Sequence, residues 1–310
     1  MTEYKSVLLS KNGRVILALA REFLACKPGD RIGTVEHYSQ KYNIGRGTVQ
    51  SALKFLQSIG AVHLESRGHL GTYLEGMSHK KLWEVADYGV IMAVMPLPYS
   101  KRYEGLATGL FMAFEEADLP FSLAFMRGAS KRLEALELGK YNLAVLSKLA
   151  ARLEIQKGTP IEIIHEFGVQ SYVSDHVVIF RDDAREQIEP GMRVAVDPAS
   201  VDQTILTCYE CEGIEVDYVE TSYAQILHKL AENQIDAAVW NLDEVVERKL
   251  NYQPLRNRKS QEVAREDTTA VLAVHRDEKV LGNVLRRLVN MEGIEAIQRQ
   301  VISGELIPSY

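Results

Sequence analysis

Pro28-Gly29-Asp30-Arg31-Ile32-Gly33-Thr34-Val35-Glu36-His37-Tyr38-Ser39-Gln40-Lys41-Tyr42-Asn43-Ile44-Gly45-Arg46-Gly47-Thr48-Val49-Gln50-Ser51-Ala52-Leu53-Lys54-Phe55-Leu56 is the stretch whose reading decides the fold. Thr34 can cap a short helix over 34–41, because a hydroxyl before a helix accepts from its free N–H groups. A tight turn follows, and a further helix begins near Gly45, with Val49, Leu53 and Leu56 facing inward. Gly60 is placed to end that helix. Residues 61–66 and 70–75 read as two strands joined by Arg67-Gly68-His69. Two helices joined by a tight turn and followed by a two-stranded wing is the geometry that lays a helix in the major groove of DNA.

Upstream, an apolar stripe of Val15, Ile16, Leu19, Phe23 and Leu24 predicts a helix over about 12–26, stopped by Lys27-Pro28-Gly29-Asp30. Downstream, residues 77–87 read as a linker that closes a winged helix-turn-helix domain over 1–76. From Tyr88 strands and helices alternate: 89–97, 121–126 and 142–147 read as strands, with helices over 103–117 and 130–138 between them. That is a βαβαβ pattern, expected to give a mostly parallel sheet covered by helices. A second unit repeats it, with strands at 193–197, 215–220 and 237–241 and helices at 200–212 and 223–232. The intervening 169–180 and 268–275 read as β-rich, and two helices over 277–290 and 292–303 end the chain. The expectation is a two-lobed α/β domain over 88–310, with lobe I at about 88–172 and 268–310 and lobe II at about 176–265. Small ligands collect in such interlobe clefts.

The net charge of −6 excludes a generic nucleic-acid-coating protein. Its distribution is uneven: residues 1–77 carry 10 Lys+Arg against 6 Asp+Glu, and residues 78–310 carry 26 against 36. The basic part coincides with the helix-turn-helix reading, as phosphate neutralisation requires. Three cysteines are too few for a disulfide framework, the polar start Met1-Thr2-Glu3-Tyr4-Lys5 shows no targeting segment, and no apolar run suits a membrane span, so a cytoplasmic location is expected. Cys208 and Cys211 lack the second pair that zinc would need, and read as two packed cysteines one helical turn apart. No metal site, cofactor motif or nucleophile–base arrangement is visible, so an enzyme is not expected.

Residues 12–75 resemble the GntR-type winged helix-turn-helix repressors through Pro28-Gly29, Arg46, Thr48-Val49, Ala52-Leu53, Leu56, Gly60 and Gly71-Thr72-Tyr73. Where that family usually has Leu-Pro-Ser-Glu-Arg, this chain has Ile32-Gly33-Thr34-Val35-Glu36, so a phosphate-contacting arginine is replaced by Glu36. Gly45, Gly47 and Gln50 also depart from the pattern, which implies an operator unlike the usual one. Residues 88–303 resemble the type 2 periplasmic-binding-protein fold, also used as the effector domain of LysR-type regulators. Gly191-Met192-Arg193-Val194-Ala195-Val196-Asp197-Pro198-Ala199-Ser200, Asp202-Gln203-Thr204 and Asn233-Gln234-Ile235-Asp236-Ala237-Ala238-Val239-Trp240 carry the likeness. The combined architecture resembles the YhfZ family of bacterial regulators.

For DNA contact the candidates are Arg46, Thr48, Gln50, Ser51 and Lys54 on the third helix, and Arg67, Gly68, His69 and Gly71 in the wing. For a ligand they lie in loops after strands, beside helix N-termini: Ser100, Lys101, Arg102, Arg127, Ser130, Ser147, Ser200, Gln203, Thr204 and Asn241, with Trp240 and Asp243 as further lining. Hydroxyls, amides and cations in this mix suit an anionic ligand. Ser130 and Ser200 also fit simple helix caps. The expected protein is a homodimeric regulator that binds a double-stranded DNA operator and a small anionic effector. The alternative is a small-molecule-binding protein or enzyme whose head contacts other proteins.

Overall fold

The computed structural model describes residues 10–310. The polar residues 1–5, read above as lacking a targeting segment, lie outside them. In chain order the elements are α1 (Lys11–Leu24), α2 (Val35–Lys41), α3 (Arg46–Ser58), β1 (Val62–Ser66), β2 (Thr72–Met77), α4 (His79–Val85), β3 (Ile91–Met95), α5 (Lys101–Glu116), β4 (Phe121–Phe125), α6 (Ala129–Glu137), β5 (Leu143–Ser147), α7 (Lys148–Lys157), β6 (Ile161–Glu166) and β7 (His176–Phe180). They continue as β8 (Arg193–Val196), α8 (Val201–Glu210), β9 (Asp217–Glu220), α9 (Ile226–Ala231), β10 (Ala237–Asn241), α10 (Leu242–Glu247), β11 (Gln253–Pro254), α11 (Arg258–Asp267), β12 (Ala270–His275), α12 (Lys279–Leu288) and α13 (Met291–Ser303).

The chain divides into two compact units. The first holds the head through Ile91, together with Phe114–Pro120 and Lys279–Val289. Its helices start and stop where the side chains say they should. Ser10 and Thr34 accept from the N–H groups of Gly13 and His37, each at 3.1 Å. Val49, Ala52 and Leu56 of α3 pack inward with Leu19, Phe23 and Leu24 of α1. The wing pairs β1 with β2 antiparallel, Val62 opposite Met77 and Ser66 opposite Thr72. Residues 30–32 add a partial third strand, with Ile32 N–H donating to Thr72 O and Leu74 N–H to Asp30 O, both at 2.9 Å.

The stretch read as a linker contains α4, whose Leu82 and Trp83 are buried. Trp83 Nε1 donates to Gly89 O at 2.6 Å, and Arg21 Nε donates to Ala86 O at 3.0 Å. Helix α12, placed by the sequence reading in lobe I, joins this unit instead: the Arg287 guanidinium donates to the carbonyls of Leu24 and Cys26 at the end of α1. The link spans more than 250 positions, so no local pattern announces it.

The second unit contains two five-stranded mixed sheets. One runs β4-β3-β5-β12-β6, with β3 and β5 parallel and β12 antiparallel to both β5 and β6. The other runs β11-β7-β10-β8-β9, with β8 parallel to β9 and β10, and β7 antiparallel to β10 and β11. The sheets are less parallel than the βαβ pattern predicts, because β6 and β12 complete lobe I, and β7 lobe II, as the chain leaves one sheet and returns. Strand β6 was not anticipated, and within 169–180 only β7 is a strand. Every residue of β5, β7 and β10 is buried, as a central strand covered on both faces should be. The architecture is a winged helix-turn-helix followed by an α/β domain built on two mixed sheets.

Among the described residues no helix is long and apolar enough to cross a membrane.

Candidate functional site

On α3, residues 46, 50 and 54 recur every four positions and so form one ridge of the helix. Arg46, Gln50, Ser51 and Lys54 are exposed, and Thr48 is half-buried. The Arg46 guanidinium is ion-paired to Glu36 of α2, whose other oxygen accepts from Gln40 Nε2 at 3.0 Å. The wing repeats this arrangement. Arg67 donates to Glu65 and to Glu75, both at 2.7 Å, and lies 4.5 Å from the Tyr73 ring centre. The hydrogen bond to Glu65 raises its already high pKa. Gly68 and Gly71 have φ of +59° and +101°, which the wing turn requires, and His69 is exposed at its tip. Lys54 is unpaired among the described residues. The two arginines that could hold phosphate are thus already neutralised by carboxylates, which Lys54 is not. Two large apolar side chains of the head are also exposed: Phe55 is 42% exposed and Leu70 is 52% exposed.

The second candidate site is a cavity between the two lobes of the second unit, with about 640 Å³ of free space, part of it open to solvent. Its walls come from the loop after β3 (Pro96, Leu97, Tyr99), from α5 (Tyr103), from the loop and first turn of α6 (Arg127 to Arg132), from the crossing segment (Tyr172, Val173, His176) and from lobe II (Asp197, Ser200, Asp202, Tyr223, Asn241, Glu244).

Of the residues singled out from sequence, Arg127, Ser200 and Asn241 line this cavity. Arg127 stands 5.6 Å from the Tyr99 ring centre, and Asn241 Oδ1 caps α10 by accepting from Asp243 N–H at 2.7 Å. The others are placed elsewhere, for identifiable reasons. Ser147 Oγ is turned to both oxygens of Asp202, at 2.7 and 2.8 Å, and caps α7. Gln203 bridges the Asp197 N–H and Ala195 O, at 2.8 and 3.0 Å. Thr204 Oγ1 donates to Asp197 O at 2.8 Å. Ser130 is exposed on α6. Ser100, Lys101 and Arg102 face a separate depression, where Arg102 is bound by Asp243 at 3.3 Å and by the Gln170 carbonyl. Trp240 packs its ring 4.5 Å from that of Tyr223 rather than lining the cavity.

Sequence reasoning missed the groups that dominate the cavity. Arg132 is only 2% exposed; Nε donates to Val145 O at 3.1 Å, one terminal nitrogen to Met126 O at 2.8 Å and the other to Tyr172 Oη at 2.9 Å. Three carbonyl or hydroxyl partners and no carboxylate within ion-pair reach surround it among the described residues. An arginine on a helix normally reads as solvated, so no sequence signal marked it. Tyr99 and Tyr223 follow β3 and β9, where the strand-end rule points; Tyr99 falls in the loop named after the first strand, whereas Tyr223 was not singled out.

Three titratable groups are shifted by this environment. Burial would depress His176, but Asp267, 2.6 Å from Nδ1, outweighs it and holds the imidazole up to about 9. Burial, reinforced by Asp267, pushes Asp202 up to about 7. Burial likewise pushes Glu244 up to about 7, against the pull of Arg248.

Residues 27–74 match a helix-turn-helix domain family, and residues 78–310 match the YhfZ C-terminal domain. The protein YhfZ of Escherichia coli (strain K12) is 36% identical over 309 residues, which is 99% of this chain and 100% of that one. The crystal structure of YhfZ from Shigella flexneri is 34% identical and superposes with a TM-score of 0.61, covering 74% of this chain and 97% of that one. A periplasmic substrate-binding protein of an ABC transporter from Coxiella burnetii is 16% identical, with a TM-score of 0.47 over 71% of this chain and 100% of that one.

Proposed function

The chain belongs to the YhfZ family, and from that premise we propose that it is a cytoplasmic transcriptional regulator that binds DNA through its winged head and senses a small anionic metabolite in its interlobe cavity. One observation carries the ligand half of this reading. A buried guanidinium, Arg132, lines the cavity with uncharged partners only, and a buried cation is stable when an anion meets it. Arg127 at the mouth adds a second positive charge. The DNA half is supported by the winged helix-turn-helix, the basic balance of the head and the exposed ridge of Arg46, Gln50 and Lys54.

The regulator is read as a homodimer on a palindromic operator, its two recognition helices about 34–36 Å apart or a multiple of that. Ligand and DNA binding couple only as far as the ligand prefers one lobe arrangement over another. The test is a mobility-shift titration on DNA upstream of the protein's own gene, with organic acids and sugar phosphates screened by thermal shift. Arg46→Ala combined with Thr48→Ala should abolish the shift. Binding that ignores both the substitutions and salt would overturn the DNA half.

One observation favours a second reading. Arg46 and Arg67 are both ion-paired, and the same head exposes Phe55 and Leu70, which suits a head that contacts another protein. The same titration separates the two, because DNA binding must weaken steeply with salt.

A further inference from the structure

Arg132 and Glu244 line one cavity, Arg132 with no carboxylate within ion-pair reach among the described residues and Glu244 with only a long ion pair to Arg248. The other charged groups of its inner wall are satisfied within the protein. His176 meets Asp267 at 2.6 Å, and Asp202 is faced by Ser147 Oγ at 2.7 Å. Asp197 accepts from the N–H groups of Ala199 and Tyr223, at 3.0 and 2.8 Å. What remains is Arg132, described above, and Glu244, only 3% exposed. Among the described residues, Glu244 Oε1 has no hydrogen-bond partner, and Oε2 has Arg248 Nε only at 3.6 Å. Its neighbour Trp240 Nε1 likewise reaches no hydrogen-bonded geometry. Unmatched charge at this depth costs folding free energy unless something that binds there supplies the counter-charge.

A simple anion answers Arg132 but leaves Glu244 worse off, because it adds negative charge to a cavity that already holds Asp197, Asp202 and Glu244. From these two residues we propose that the ligand is a zwitterion of the amino-acid type, its carboxylate meeting Arg132 and its ammonium meeting Glu244. The proposal rests on the sensor reading above and narrows its anionic ligand to one that also carries a cation. The aromatic lining fits the cationic end. Tyr99 and Tyr223 stack with ring centres 6.3 Å apart, and Tyr99 already receives the Arg127 guanidinium on its face. The Tyr99 hydroxyl is buried without a hydrogen-bond partner among the described residues and can accept from an ammonium. Glu244, which burial holds near 7, becomes a better acid beside an ammonium, so binding near neutral pH should release a proton.

The test is a thermal-shift and calorimetric survey of the full chain with the protein L-amino acids, each compared with its des-amino carboxylic acid and its decarboxylated amine. At least one amino acid should bind about tenfold or more tightly than either truncated relative, a difference the calorimeter resolves. Its apparent enthalpy should vary with buffer ionisation enthalpy as a proton is released. In Glu244→Gln the preference for the amino acid over its des-amino relative should collapse, while the unliganded melting temperature is kept. In Arg132→Lys both should weaken together. A des-amino acid that binds as tightly as its amino acid overturns the zwitterion and leaves the sensor reading standing. So does silence from the amino acids when organic acids or sugar phosphates stabilise the protein. Silence from every compound overturns both.

Discussion

Glu36 of α2 holds Arg46, the first residue of α3, in an ion pair across the helix-turn-helix. A phosphate must displace that carboxylate to reach the guanidinium. The expected consequence is that Glu36→Gln strengthens binding to duplex DNA several-fold at low salt. The slope of log K against log salt should steepen by about one, the signature of one more phosphate contact. Fluorescence anisotropy over a salt series checks it; unchanged affinity and slope would mean that Arg46 does not touch the backbone.

Gly128, at φ +81° in the loop before α6, lies against lobe II so closely that a Cβ there would meet Ala199 Cβ and O at 2.8 Å. Gly128→Ala should cost about 1–3 kcal/mol from backbone strain alone. It should also hold the lobes apart, so ligand-induced stabilisation falls more than the unliganded melting temperature does. Wild-type ligand stabilisation in this variant would show that the close approach at Ala199 is not needed for binding.

Stability should decline as pH rises, and the sign follows from three groups. Asp202 and Glu244 stand at about 7 in the fold, against 3.8 and 4.5 when free. Their contributions are complete below the free values and are lost as pH climbs to 7. His176 stands at about 9 against 6.5, so its contribution is complete below 6.5 and is lost as pH passes 9. Melting temperature should therefore fall from pH 6.5 to pH 9; below 6.5, His79 and His165, whose pKa values burial lowers, work in the opposite direction. Asp202→Asn should melt several degrees above the wild type at pH 8 and lose that advantage towards pH 4. A variant curve parallel to the wild type at every pH would remove Asp202 from the explanation.

Trp83 is buried in the first unit, 4.6 Å from the Tyr88 ring. Trp83→Ala should destabilise that unit by about 3–5 kcal/mol, the range for large aromatics cut from a core. Hydrogen exchange in α1 checks it, with loss of protection expected there. Unchanged protection would return residues 79–85 to the role of a plain linker.

Most of the head was legible because its signals are local. Thr34 caps its helix, Gly60 takes φ +68° just past the end of α3, and the apolar spacing of Val49 and Leu56 faces the core as the period demands. The alternation after Tyr88 likewise revealed two α/β lobes, since strand and helix periods survive in any sequence that must bury one face. The pairing of β6, β7 and β12 was not legible, because strand direction depends on where the chain crosses between sheets. Nor was the capture of α12 by the head, or the exclusion of Ser147, Gln203 and Thr204 from the cavity, where their polar atoms are turned to internal partners.

By itself, then, the sequence determined the kind of protein: a winged helix-turn-helix ahead of a two-lobed α/β body, because capping, periodicity and turn residues act over a few positions. Tertiary structure alone decided which charges remain available for function. Arg46 and Arg67 are matched by nearby carboxylates, while Arg132 enters the cavity with uncharged partners and Glu244 with only a long ion pair to Arg248. Charge pairing is a matter of distance in space, and residues more than 100 positions apart acquire that distance only when the lobes are assembled.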